Sequence, residues 1–116
     1  MAGERLNMDD KKILCGANHY EQKFYINDFY KNLPTLVKEE LKSMCVLFVE
    51  EVSGILILEF DDEGNLMLVT TAKESDYYYD EIGSRLKIKQ LREEKRELFG
   101  QLEQYYDAIK DRNPEE

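Results

Sequence analysis

Over residues 76–112 the apolar side chains return every three or four positions. Ile88, Leu91, Leu98, Leu102, Tyr105 and Ile109 carry the repeat, and Lys95 fills its one polar slot. That is the spacing of a helix with a single adhesive seam. A long charged C-terminal helix is therefore predicted over 76–112, with Ser75 or Asp76 as its cap and Asn113 and Pro114 as its stop. Gly83 and Ser84 interrupt the pattern, so the helix bends there or begins only after Ser84. The seam has two uses. It can lie across a sheet of its own domain, or it can zip against a second copy or another protein. Phe99 and Tyr106 widen it beyond a strict coiled coil, which favours a sheet or a bundle. Lys95 suits a dimer seam, where its stem reaches solvent. The candidate interface is Ile88, Leu91, Lys95, Leu98, Phe99, Leu102, Tyr105, Tyr106 and Ile109.

The segments before it read as strands around one helix. Residues 12–17 (KILCGA) and 23–26 (KFYI) are short apolar runs that can pair as a hairpin through 18–22. Pro34 opens a helix, and Val37, Leu41, Met44, Phe48 and Val52 then follow at helical steps. Gly54 is placed to end it in a left-handed cap. Residues 55–60 and 66–71 flank an acidic turn in which Gly64 supplies the positive φ, the clearest β-hairpin of the chain. Both of its strands are mostly apolar on both faces, so both faces of the sheet are expected to be covered at least in part. The predicted fold is α+β in ββαββα order: an antiparallel sheet of two hairpins packed by a central helix and the long C-terminal helix. It forms a single domain over 12–112 behind a disordered N-terminus, residues 1–11.

With 116 residues, 42 % of them apolar, one core can form without staples. The net charge of −9 is unevenly placed: residues 1–84 hold 8 basic and 17 acidic side chains, and residues 85–116 hold 8 of each. An acidic body points away from nucleic acid and anionic membranes. The basic stretch over 85–96 is expected to fold back on its own acidic body or on that of a second copy. The polar start of the chain carries no apolar leader segment, and the longest apolar run, residues 44–49, is too short for a membrane span. Two cysteines without a secretion signal read as reduced thiols in a cytoplasmic protein.

Chemistry has few footholds. Cys15-Gly-Ala-Asn-His19 is the one place where a nucleophile and a base sit close in sequence, and it is a weak candidate reactive site. Cys15 lies in an apolar strand, where a cysteine is ordinarily a small core residue. The acidic turn around Glu59, Asp61, Asp62, Glu63 and Asn65 lacks calcium-loop spacing and reads as a solvated turn. The tyrosines at 77–79, 105 and 106, with Phe24, Tyr25, Phe29 and Tyr30, either cover the sheet or line a pocket or a contact face. Tyr78 and Tyr79 point to different sides of any regular element, so at least one of them is expected to be exposed or in an interface. Phosphate-loop, zinc and hydrolase motifs are absent, and no cofactor or metal is called for.

Three phrases, KILCGANHYEQKFYIN, LFVEEVSGILILEFDDEGNL and YDEIGSRLKIKQLREEKRELF, resemble a family of small uncharacterised bacterial proteins seen mainly in anaerobic gut clostridia. The resemblance covers about residues 12–106. It implies a domain of unknown function in a cytoplasmic bacterial setting and transfers no catalytic or binding residue. The leading expectation is a non-enzymatic interaction module that forms a homodimer or docks a protein partner through the C-terminal helix. The alternatives are a small-molecule-binding or regulatory domain with an aromatic pocket, and an enzyme using Cys15 and His19.

Overall fold

The chain, described as a computed structural model over residues 10–112, runs β1 (Ile13–Asn18), β2 (Lys23–Ile26), a 3₁₀ turn (Asp28–Tyr30), α1 (Thr35–Val52), β3 (Ile55–Phe60), β4 (Leu66–Thr71), α2 (Glu81–Glu94) and α3 (Arg96–Ile109). The predicted α+β class and element order are both present. The expectations for residues 1–9 and for a stop at Asn113 and Pro114 lie outside the described residues. All four strands are antiparallel, in the order β2-β1-β3-β4.

Register decides what each strand buries. Residues directly opposite in an antiparallel pair share a face. Cys15 and Ala17 pair with Leu58 and Leu56, and Leu58 and Phe60 pair with Leu68 and Leu66. These side chains form the inner face, and all of them are buried. α1 closes this face with Leu41, Met44, Cys45, Phe48, Val49 and Val52. α3 closes the rest with Leu98, Phe99, Leu102, Tyr106 and Ile109. Phe60 stacks on Tyr106 at 4.2 Å between ring centroids. Tyr30 lies against Phe60 and Tyr105, its hydroxyl donating to the Lys11 carbonyl. β1 bulges at Leu14, between the pairs Ile13 with Glu59 and Cys15 with Leu58. Buried Asn27 holds the bulge: its side-chain amide donates to Ile13 O at 2.7 Å, and its backbone N–H donates to Leu14 O at 3.0 Å.

The single long helix over 76–112 is corrected to two helices. Lys95 (φ −108°, ψ 22°) leaves the helical region and joins α2 to α3. Its N–H still donates to Leu91 O, and its carbonyl accepts from Phe99, so little hydrogen bonding is lost at the break. The break lets α2 follow α1 while α3 follows the sheet. The start also moves. Asp80, rather than Ser75 or Asp76, caps α2 by accepting from Gly83 N at 2.8 Å. The helix runs unbroken through Gly83 and Ser84.

Asp76 is occupied elsewhere. Its carboxylate accepts from Ser53 Oγ and Tyr20 Oη, each at 2.6 Å, and from Tyr78 N at 2.9 Å. The Ser53 and Tyr20 hydroxyls hold this carboxyl below its ordinary range. The node ties the 72–80 loop to the end of α1 and to the β1–β2 turn. Ser53 itself sits at φ 69°, ψ −172°, a region that glycine enters readily and serine does not. Gly54 follows at φ 83°, and a Cβ there would lie 2.6 Å from Thr71 O. α1 therefore ends through two left-handed residues, where the sequence pattern indicated one. Replacing Ser53 by Gly or by Ala removes the same hydroxyl, so the difference between the variants reports backbone strain set against the extra freedom glycine gives the unfolded chain. S53G is expected to be more stable than S53A by about 1–3 kcal/mol in urea unfolding. An S53A more stable than S53G would mean that the backbone there is relaxed.

Candidate functional site

Most of the candidate seam is enclosed by its own chain. Leu98, Phe99, Leu102, Tyr106 and Ile109 are buried in the core, with Tyr105 half-buried beside them. Ile88 and Leu91 are half-buried and pack against that core. Lys95 reaches back to Glu40 of α1 at 2.9 Å. The wide seam is satisfied within the chain because the inner sheet face and α1 present enough apolar surface to fill it. The basic stretch also folds inward: Lys87 pairs with Glu51 at 2.7 Å, and Arg92 donates to Leu66 O at 3.2 Å.

Cys15 and His19 are not brought together. The strand between them is extended, at about 3.3 Å per residue, and His19 lies beyond its end, its N–H donating to Gly54 O. Cys15 is fully buried, and the facing Cys45 thiol and burial together push its thiol well above the ordinary range. A thiol held protonated in this way is the reverse of an activated nucleophile. His19 Nδ1 is buried without a hydrogen-bond partner. At the acidic turn, the Asp61 carboxylate accepts from the backbone of Glu63 and Asn65, both at 2.9 Å, so its oxygens shape the turn.

The aromatic residues divide between core and surface. Tyr79 is half-buried, its hydroxyl placed between Thr70 Oγ1 at 3.1 Å and Ser84 Oγ at 3.2 Å. Tyr77 and Tyr78 point outward, each 91 % exposed. Ile82 and Leu86, on the solvent side of α2, are 73 % and 63 % exposed.

Two features could receive another molecule. One is a groove of about 440 Å³ between α1 and α2, floored by Met44, Leu47, Phe48 and Leu91. The ion pairs of Lys87 with Glu51 and of Lys95 with Glu40 cross it at either end.

The other is the outer face of the sheet. Tyr25, Gly16, Ile57 and Val69 form one ladder across all four strands. Ile55 and Met67 extend the apolar band along β3 and β4, and Glu59 lies opposite Met67. α1 and α3 pack on the inner face, and no described helix lies on this one. Met67 and Val69 are 39 % and 36 % exposed, while Ile55 and Ile57 are half-buried. Both faces were expected to be covered at least in part: among the described residues the helices pack on the inner face, while on the outer face Gly16 is buried and Ile55 and Ile57 are half-buried. The signal was present in ILILEF and LMLVTT, which do not alternate apolar with polar.

A family of unknown function, DUF6145, matches residues 11–113. The chain belongs to that family. No curated protein and no solved structure gives a significant match. The DUF6145 match spans the whole sheet and all three helices, so both features above lie inside the family's region. Among the described residues, no helix is long and apolar enough to cross a membrane.

Proposed function

We propose that this DUF6145 chain is a non-enzymatic protein-interaction module whose docking surface is the outer face of the sheet. One observation carries the reading. An antiparallel sheet that faces water on one side alternates apolar and polar residues, with the polar ones outward. Here the outward positions of β3 and β4 include Ile55, Ile57, Met67 and Val69. Contiguous apolar surface of this kind is characteristic of a contact site. The seam residues of the C-terminal segment support the domain from within. A small-molecule-binding role has the α1–α2 groove in its favour, but the two ion pairs already engage the charges that would orient a ligand there.

Cysteine labelling tests the docking face without a known partner. V69C places a thiol on it, while Cys15 and Cys45 are buried and slow to react. Labelling of V69C by a polar maleimide is expected to slow several-fold when the protein is concentrated or placed in extract of its own cells. Y77C, away from the face, keeps one rate throughout. Identical V69C rates in dilute, concentrated and extract samples would sink the reading.

A further inference from the structure

We propose that the chain has a small-molecule site apart from the outer sheet face and the α1–α2 groove. It is a cavity between the β1–β2 turn and α1, and it takes a molecule with one carboxylate and an apolar body.

The cavity measures about 400 Å³, within the range of small-molecule sites. Lys42, Val46, Val49 and Glu50 line it from the side of α1 turned away from α2. Phe24 of the edge strand β2 and His19 of the turn also line it. Val49 is buried and Phe24 and Val46 are half-buried, so the three form an apolar wall.

The turn that presents His19 is fixed by the fold. Asn18 Oδ1 accepts from Tyr20 N at 2.9 Å and from Glu21 N at 3.1 Å. Gln22, at φ 54°, returns its side-chain amide to His19 O at 2.7 Å. A site held in place in this way has little left to order when a ligand binds.

The charges here are not engaged, in contrast to those of the α1–α2 groove. Among the described residues, the ammonium groups of Lys23 and Lys42 make no ion pair or hydrogen bond, and neither does the Glu50 carboxylate. His19 Nδ1 is buried without a partner. A proton on it would find no acceptor, so the favoured tautomer carries the proton on Nε2. That leaves Nε2 as the ring nitrogen able to donate into the cavity.

The balance of charge selects the ligand. Two ammonium groups against one carboxylate leave a single positive charge, in a chain whose net charge is −9. One carboxylate balances it, whereas a phosphate monoester, at about −1.5 to −2, exceeds it. The lysines and Nε2–H are donors that a carboxylate accepts, and the wall of Phe24, Val46 and Val49 receives an apolar body.

The test is a titration of the isotope-labelled full-length protein with phenylacetate, followed by amide NMR shifts. Amides of residues 19–24 and 42–50 are expected to move together and to saturate in the millimolar range. Phenylacetamide, which lacks the charge, and acetate, which lacks the apolar body, should each bind roughly tenfold more weakly. Lys23 and Lys42 are exposed, so the double variant K23Q/K42Q is expected to keep the fold and lose affinity roughly tenfold or more. H19F retains a ring, removes Nε2, and should weaken binding several-fold. K89Q, at an exposed lysine of α2, should bind as the wild type does. Shifts that do not saturate overturn the proposal, and so does equal binding of phenylacetamide or acetate. Wild-type affinity in K23Q/K42Q or in H19F, or an equal loss in K89Q, overturns it too. Tighter binding of phenyl phosphate than of phenylacetate rejects the carboxylate and the proposal with it.

Discussion

L98A and L102A are each expected to lower the unfolding free energy by about 2–5 kcal/mol. Both side chains are buried between α3 and the sheet. Each truncation removes apolar contacts and leaves a cavity in a close-packed core. A domain of this size has only about 5–15 kcal/mol of stability in total. Either variant should therefore move the urea midpoint strongly, and the double variant is not expected to fold. The two leucines are one helical turn apart, so their costs are not expected to add simply. Mass measured alongside separates the two uses of the seam. Loss of stability without loss of association marks core. A stable variant that no longer associates would return these residues to a contact surface.

L58K is the second large effect. Leu58 is fully buried, with Cys15 and Leu68 opposite it on either side. The buried side chains around it, Cys15 and Leu68 among them, offer a lysine no charge to pair with. Burial can lower a lysine pKa by up to 3–5 units at about 1.4 kcal/mol each, a penalty of roughly 4–7 kcal/mol beyond the lost packing. The sign with pH follows. The penalty is complete below the depressed folded pKa and fades as pH rises toward about 10.4, where the unfolded lysine also loses its proton. L58K is therefore expected to show no cooperative melt at neutral pH. I57K, one residue earlier and on the opposite face, should melt within a few degrees of the wild type. Similar melting curves for the two would refute the register of β3.

Different elements were legible to different degrees, for physical reasons. The hairpin of β3 and β4 could be read because Gly64 and the acidic turn are local signals that tertiary contacts reinforce. α1 was legible from its apolar spacing, which matches the stripe it buries. The break at Lys95 was not. The sequence around it, Arg92-Glu93-Glu94-Lys95-Arg96, is rich in helix formers, and the chain departs from the helix because α1 and the sheet diverge. The cap at Asp80 was hidden for a similar reason. Ser75, Asp76 and Asp80 are all good caps, and the distant hydroxyls of Ser53 and Tyr20 engage Asp76. Cys15 and His19 are close in sequence only, and extended strand separates them. The outer sheet face could be seen as an excess of apolar residues in β3 and β4. That the described helices all pack on the other face could not, because that depends on where every other element packs.

The break at Lys95 also divides the C-terminal segment by its commitment to the fold. α3 buries five side chains, whereas α2 buries only Ser84 and is otherwise held by half-buried Ile88 and Leu91, the Tyr79 hydroxyl, the Arg92 hydrogen bond to Leu66 O and the surface ion pairs of Lys87 and, at its end, Lys95. Surface pairs contribute roughly 0–1 kcal/mol each and are screened by salt. The cheapest excursion from the native state is thus detachment of α2 alone, with Lys95 as the pivot and α3 still seated. Amide protons of α2 should reach solvent through that partial opening, long before those of β1 or β3 are released by global unfolding.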